Sequence, residues 1–135
     1  MFGSYEQDNN FSNGPEPIEW IVINKNGASL LLISKFAIEC HDYYTTSSSL
    51  TWKDSEIRNW LNNGFYYEAF SLDEQTTIQN TKLFTNRIHE SGTSTTEDKV
   101  FLLSQNEAET YFSNSESRKC EPTIYMKKTI PPGLD

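Results

Sequence analysis

Two apolar runs dominate the first third of the chain. Ile18-Glu19-Trp20-Ile21-Val22-Ile23 and Ala28-Ser29-Leu30-Leu31-Leu32-Ile33 flank Asn24-Lys25-Asn26-Gly27. Short apolar runs joined through Asn-Gly read as a β-hairpin over residues 18–33. Side chains alternate along a strand, so Trp20 and Val22 oppose Ile21 and Ile23, and Leu30 and Leu32 oppose Leu31 and Ile33. Both faces are therefore apolar, which predicts an interior pair covered on both sides.

The period changes after residue 50. Thr51 with Asp54 has the spacing of a capping box, and Trp52, Ser55, Ile57, Trp60 and Leu61 recur at helical intervals. A helix over about 52–62 is predicted, stopped by Asn62-Asn63-Gly64. Ser71 with Glu74 opens a second helix, about 72–79, and Ser104 with Glu107 a third, about 105–112, turning Ala108, Tyr111 and Phe112 inward. Weaker signals place strands at 2–7, 81–88, 100–103 and 123–126, and a brief helix at 35–39 behind Ser34. Polar, Gly- and Pro-bearing stretches at 8–16, 89–98 and 129–135 read as flexible. The pattern predicts one α+β domain over 1–135: a twisted antiparallel sheet around the hairpin, with short flanking helices. Trp20, Trp52, Trp60, Phe70 and Phe101 are the expected core.

With 135 residues the chain has the length of one ordinary domain, and an aromatic content of 13% is enough to build a core. The net charge is −8, and each half contributes −4 (4 basic against 8 acidic, then 7 against 11). Such a surface disfavours direct nucleic-acid binding, which needs Lys and Arg to displace counterions. It is compatible with a basic protein partner. No apolar run reaches membrane-span length and no signal peptide is visible, so a cytoplasmic location with no membrane association is expected. Cys40 and Cys120 could form one bridge or remain two buried thiols; the missing export signal favours thiols.

Candidate chemistry is sparse. His41 and His89 with Cys40, Asp42 and Cys120 fit no zinc spacing, so no metal and no cofactor is expected. The carboxylates Asp73, Glu74, Glu97, Asp98, Glu107 and Glu109 suggest no acid/base pair: Glu74 and Glu107 have capping roles, and Glu97-Asp98 falls in a stretch read as a flexible loop. Arg58 reads as structural, stacking on an indole or pairing with a sheet carboxylate. The tyrosine pairs Tyr43-Tyr44 and Tyr66-Tyr67 stand out, since adjacent rings cannot all face one core. Exposed tyrosines offer large contact area at low entropic cost.

Several motifs together carry a resemblance: Phe2-Gly3-Ser4-Tyr5 with Gln7, Pro17-Ile18-Glu19-Trp20-Ile21-Val22, Trp60-Leu61-Asn62 with Phe65-Tyr66, and Val100-Phe101-Leu102-Leu103-Ser104 with Glu107-Ala108. The chain resembles an uncharacterised bacterial family, a domain of unknown function found in surface, mobile-element and phage-related proteins. That family is distantly similar to the C-type-lectin-like fold shared with formylglycine-generating enzymes. The resemblance implies an α+β domain with a twisted sheet and transfers no catalytic residues. Members usually continue into a tryptophan-rich stretch of the type WWLRSPG; here it is absent after Pro122-Thr123, so an open strand edge or apolar patch is expected near the C-terminal strand.

The expected function is a non-enzymatic binding module recognising a protein, or a glycan, through Tyr43, Tyr44, Tyr66, Tyr67 and an open sheet edge, with self-association at that edge also expected. The alternative is a small acidic mobile-element or phage inhibitor of the anti-defence, anti-CRISPR type, blocking the basic nucleic-acid groove of a bacterial nuclease.

Overall fold

The structure, a computed structural model, describes residues 1–41, 51–86 and 93–130. In chain order its elements are β1 (Ser4–Tyr5), a 3-10 turn (Phe11–Asn13), β2 (Glu16–Pro17), β3 (Trp20–Asn26) and β4 (Ser29–Ser34). Then come α1 (Glu56–Trp60), a π-helical turn (Leu61–Phe65), α2 (Tyr66–Ala69), α3 (Leu72–Thr77), β5 (Thr81–Asn86), β6 (Thr93–Asp98), α4 (Gln105–Tyr111) and α5 (Ile124–Thr129). The fold is α+β. Its described strands form three separate two-stranded antiparallel sheets, β1–β2, β3–β4 and β5–β6, in place of the one twisted sheet expected. The chain divides into two compact units, Met1–Cys40 with Leu103–Asp135, and His41–Leu102.

In the first unit the hairpin forms, but its turn lies further along than the Asn-Gly signal implied. Asn24, Lys25 and Asn26 belong to β3, Asn26 pairs with Ser29, and Gly27 makes the turn at φ 61°. A glycine adopts that left-handed conformation without a Cβ clash. The extra length is absorbed by a register shift between Val22 and Asn24. The expectation of burial on both faces fails: Ile21, Val22 and Leu30 are 43%, 53% and 54% exposed. A two-stranded ribbon has no neighbouring strands to cover it.

The packed centre of this unit is elsewhere. Tyr5 and Ile18 are buried. The Tyr5 ring meets Tyr125 edge-on at 6.1 Å, and Phe11 meets Tyr125 at 5.9 Å. Both tyrosine hydroxyls donate to Glu39, at 2.8 Å from Tyr5 and 3.3 Å from Tyr125. Residues 35–39 are not a helix, because Ala37 spends its backbone groups on a parallel bridge: its N–H donates to Glu121 O and its carbonyl accepts from Thr123 N, each at 2.9 Å. The predicted strand at 123–126 is helix α5. Thr123 caps it, its hydroxyl accepting from Met126 N, and Lys127 and Lys128 occupy the last turn, where the helix dipole favours cations.

In the second unit the helix begins later and runs on longer than predicted. Thr51 and Asp54 make a turn before it. Ser55 is the N-cap, accepting from Arg58 N and donating to Trp52 O. Asn62-Asn63-Gly64 do not end it: the chain widens into the π-turn and continues into α2, carrying Leu61, Phe65, Tyr66, Ala69 and then Phe70 into the core. A fully buried phenylalanine contributes about 1.5–3 kcal/mol, so these rings supply much of the unit's cohesion. Trp52 and Phe70 are buried as expected, while Trp20, Trp60 and Phe101 are half-buried. The capping boxes Ser71/Glu74 and Ser104/Glu107 both form, with the bonds running in each direction. Two expectations fail beside α1. Residues 100–103 are not a strand, since Asn62 engages the backbone at Lys99 and Val100. Residues 93–98 of the supposed flexible loop form β6.

Gly64 marks how tightly the π-turn sits on its neighbour. A Cβ there would lie 3.0 Å from Trp60 Cδ1, and Trp60 is itself flanked by His41, stacked at 4.5 Å, and by Phe65 at 5.5 Å. A helix-interior Gly→Ala change ordinarily stabilises by about 0.5–1 kcal/mol. Here overpacking reverses the sign: Gly64→Ala is expected to lower stability by about 1 kcal/mol in urea denaturation, and an unchanged or raised midpoint would contradict this packing.

Candidate functional site

The described residues of the second unit enclose a polar cleft of about 380 Å³ between the start of α1, the π-turn and the end of β6. Its floor is an ion pair. Asp98 is 2% exposed, and Arg58 Nε donates to its Oδ1 at 2.7 Å. The other oxygen, Oδ2, accepts from Trp52 Nε1 at 2.9 Å and Thr96 Oγ1 at 2.7 Å. Arg58 Nη1 also donates to Lys53 O at 3.0 Å. Arg58 is therefore structural, and of the two roles expected of it the carboxylate pair is the one formed.

Asn62 forms one wall. Its Nδ2 donates to Arg58 O and Val100 O, and its Oδ1 accepts from Lys99 N and Val100 N. The rim is less committed. Asn63 Nδ2 donates to Asn59 Oδ1 at 2.8 Å, and both residues are exposed. Lys53 and Glu97 form no ion pair with any described residue. On the helix, Asn59, Asn63 and Tyr67 follow one another four residues apart, and all three are exposed.

The sequence-predicted tyrosines separate. Tyr66 is buried, donating to Gln75 O at 3.1 Å, with Lys99 Nζ 5.2 Å from its ring centre. Tyr67 is 61% exposed and packs edge-on against Tyr66 at 4.9 Å. Tyr43 and Tyr44 lie outside the described residues, as do Asp42 and His89. The cysteines are not joined, and neither is buried as expected: Cys40 is half-buried and Cys120 exposed. The Cys40 N–H donates to Thr129 Oγ1.

A second constellation, not anticipated from sequence, lies in the first unit. Carboxylate oxygens of Glu6, Asp8 and Glu16 come within 4.8 Å of one another. The β1–β2 pairing sets Tyr5 opposite Glu16 and so brings the three together. Their number and spacing suit a hard cation. The oxygens already staple the intervening loop, however. Glu16 Oε1 accepts from the N–H groups of Gln7 and Asp8, Glu6 Oε1 and Asp8 Oδ1 accept from Asn10 N, and Asp8 Oδ2 accepts from Asn13 Nδ2. Burial pushes the Glu6 carboxyl up, helped by its contact with Asp8 and the charge of Glu16. The Asn13 amide holds Asp8 down, helped by Asn10 N–H.

The pattern of the family described as Domain of unknown function (DUF6273) matches residues 26–129, a span that includes the cleft. The chain belongs to this family. No curated protein and no solved structure matches this DUF6273 chain. Among the described residues, no helix is long and apolar enough to cross a membrane.

Asp98→Ala would strand Arg58, the Trp52 indole and the Thr96 hydroxyl together. It is expected to cost about 3–5 kcal/mol in chemical denaturation. Lys35→Ala, which cuts the exposed 3.9 Å pair with Glu19, should stay within about 0.5 kcal/mol. For the acid trio the two signs differ. Raised Glu6 contributes stability that is full below the ordinary value of 4.5 and is lost as pH rises through its folded value. Lowered Asp8 contributes stability that is present above 3.8 and is lost as pH falls through its folded value. Glu6→Gln should therefore gain thermal stability over the parent, by more at neutral pH than below 4.5. An equal difference at both would remove Glu6 as the titrating group.

Proposed function

We propose that this domain is a non-enzymatic binding module that recognises a protein partner in the cytoplasm, and that its contact surface is the exposed Asn59–Asn63–Tyr67 row with the adjoining polar cleft. The observation that carries the reading is the state of Tyr67. Its ring is open to solvent, yet its backbone is fixed in a helix whose other face buries Phe65, Tyr66, Ala69 and Phe70. An aromatic already ordered before contact loses little conformational freedom on binding. Two neighbouring exposed asparagines, bonded to each other through one amide hydrogen, offer adaptable hydrogen bonding beside that anchor, a combination suited to protein recognition.

The charge balance adds direction. A chain carrying −8 approaches a basic surface faster and more selectively than an acidic one. In its sharpest form this is an acidic inhibitor seated on a basic groove of a nuclease, which would show as binding that collapses with rising salt.

The test is capture of a partner by the immobilised domain. Tyr67→Ala is expected to weaken capture by about tenfold or more, the scale of an interface hot spot, while shifting stability by less than about 1 kcal/mol. Tyr66→Phe, which removes only the bond to Gln75 O, should lower stability by about 1 kcal/mol and leave capture intact. Capture indifferent to Tyr67→Ala would take this row out of the interface; capture of glycans alone would replace the protein partner.

A further inference from the structure

The cleft adjoins a strand edge. Strand β6 pairs with β5 from Asn86↔Thr93 to Thr81↔Asp98, and among the described residues neither strand makes a backbone–backbone hydrogen bond outside that ladder. Among the described residues, the edge of β6 away from β5 therefore has no backbone partner, and Thr95 and Glu97 are its exposed positions. Such an edge is a template for an added strand. Along β6 the residues alternate: Thr96 and Asp98 are buried, Thr95 and Glu97 exposed. The strand's last two residues, Glu97 and Asp98, also line the cleft. An extended segment laid along this edge would bring one of its side chains to the cleft mouth.

The charges there select that side chain. The lining holds two cations, Lys53 and Arg58, and three carboxylates, Asp54, Glu97 and Asp98, a net of −1. Arg58 and Asp98 neutralise each other at 2.7 Å. Lys53 is then outnumbered by Asp54 and Glu97, both on the exposed rim. An acidic or phosphorylated side chain would meet two carboxylates against one ammonium. A lysine or arginine would find two acceptors and the long-range pull of a chain at −8.

We propose that the free edge of β6 takes an extended, basic peptide segment as a third strand, with a Lys or Arg side chain set against Glu97 and Asp54. This rests on the reading of the domain as a protein-binding module and names the part of the partner it grips. Main-chain hydrogen bonds to β6 supply affinity with little regard to sequence, and the cleft supplies the choice of charge.

The experiment uses the whole chain and three synthetic probes: a short peptide alternating Lys and Thr, its Glu/Thr counterpart, and the Lys/Thr peptide with alternate backbone nitrogens methylated. Titration is followed by NMR and calorimetry. The Lys/Thr peptide is expected to shift amide signals of β6 and of the α1 start, slow exchange at β6 and bind less tightly as salt rises. Glu97→Gln should weaken it about two- to fivefold, the range of one exposed ion pair. The Glu/Thr and N-methylated peptides should bind at least tenfold more weakly. Equal binding of the N-methylated probe overturns strand addition. Equal binding of the acidic probe overturns the charge selection. Absence of binding by the Lys/Thr peptide overturns the proposal, and Tyr67-dependent partner capture then decides the wider reading separately: retained, the module stands with another grip; lost, both fall.

Discussion

The second unit is built around one buried carboxylate. Moving a charged group out of water costs several kcal/mol, and the cost is recovered only if a well-placed opposite charge and further donors reach its oxygens. Asp98 meets that demand with an indole N–H, a hydroxyl and a guanidinium, drawn from the turn before α1, from β6 itself and from α1. Trp52, Thr96 and Arg58 therefore have one permitted arrangement relative to each other. The carboxylate acts as a specifier of geometry more than as a source of net stability, and the cleft mouth inherits its shape from it. Nothing on the rim needs to be rigid in itself, because the floor beneath it is.

Asn62 does for the backbone what Asp98 does for the side chains. One amide satisfies two N–H groups and two carbonyls, in a helix and in the segment that follows β6. Asn62 sits in a widened helical turn: the π geometry admits an extra residue at Leu61–Phe65 without ending the helix. Gly64 completes the device by letting the backbone come against Trp60.

The sequence was informative where the deciding forces are local. Ser71/Glu74 and Ser104/Glu107 are capping boxes in the chain and in the fold, and the β3–β4 hairpin follows from two apolar runs around Gly27. It misled where a distant group overrode a local preference. Asn62-Asn63-Gly64 has the composition of a helix stop, but the backbone beyond Asp98 claims the Asn62 amide and the helix continues. Ser34 offers an N-cap for residues 35–39, but the segment at Glu121–Thr123 takes the hydrogen bonds of Ala37. A threonine after proline and before Ile124-Tyr125-Met126 also carries an N-cap signal, and Thr123 is the cap of α5. The cleft was not legible, since Asp98 looks like one more acid in a polar stretch until β6 turns it inward. The Glu6/Asp8/Glu16 trio likewise depends on a pairing of two-residue strands that no period reveals.

The two units differ in how the chain builds them. The unit at His41–Leu102 is continuous in sequence, and its defining contacts can form as soon as that stretch has left the ribosome. The other unit joins Met1–Cys40 to Leu103–Asp135, so Tyr5, Ala37 and Glu39 wait for Pro122, Thr123 and Tyr125. Closing that gap costs loop entropy whether or not the intervening segment is structured, and a segment already folded and compact brings its ends nearer than a free coil of the same length would. Within the continuous stretch, the Asp98 contacts tie Trp52 and Arg58 to β6 across 46 and 40 residues, so the same buried charge that shapes the cleft also closes most of the segment that parts the halves of the other unit.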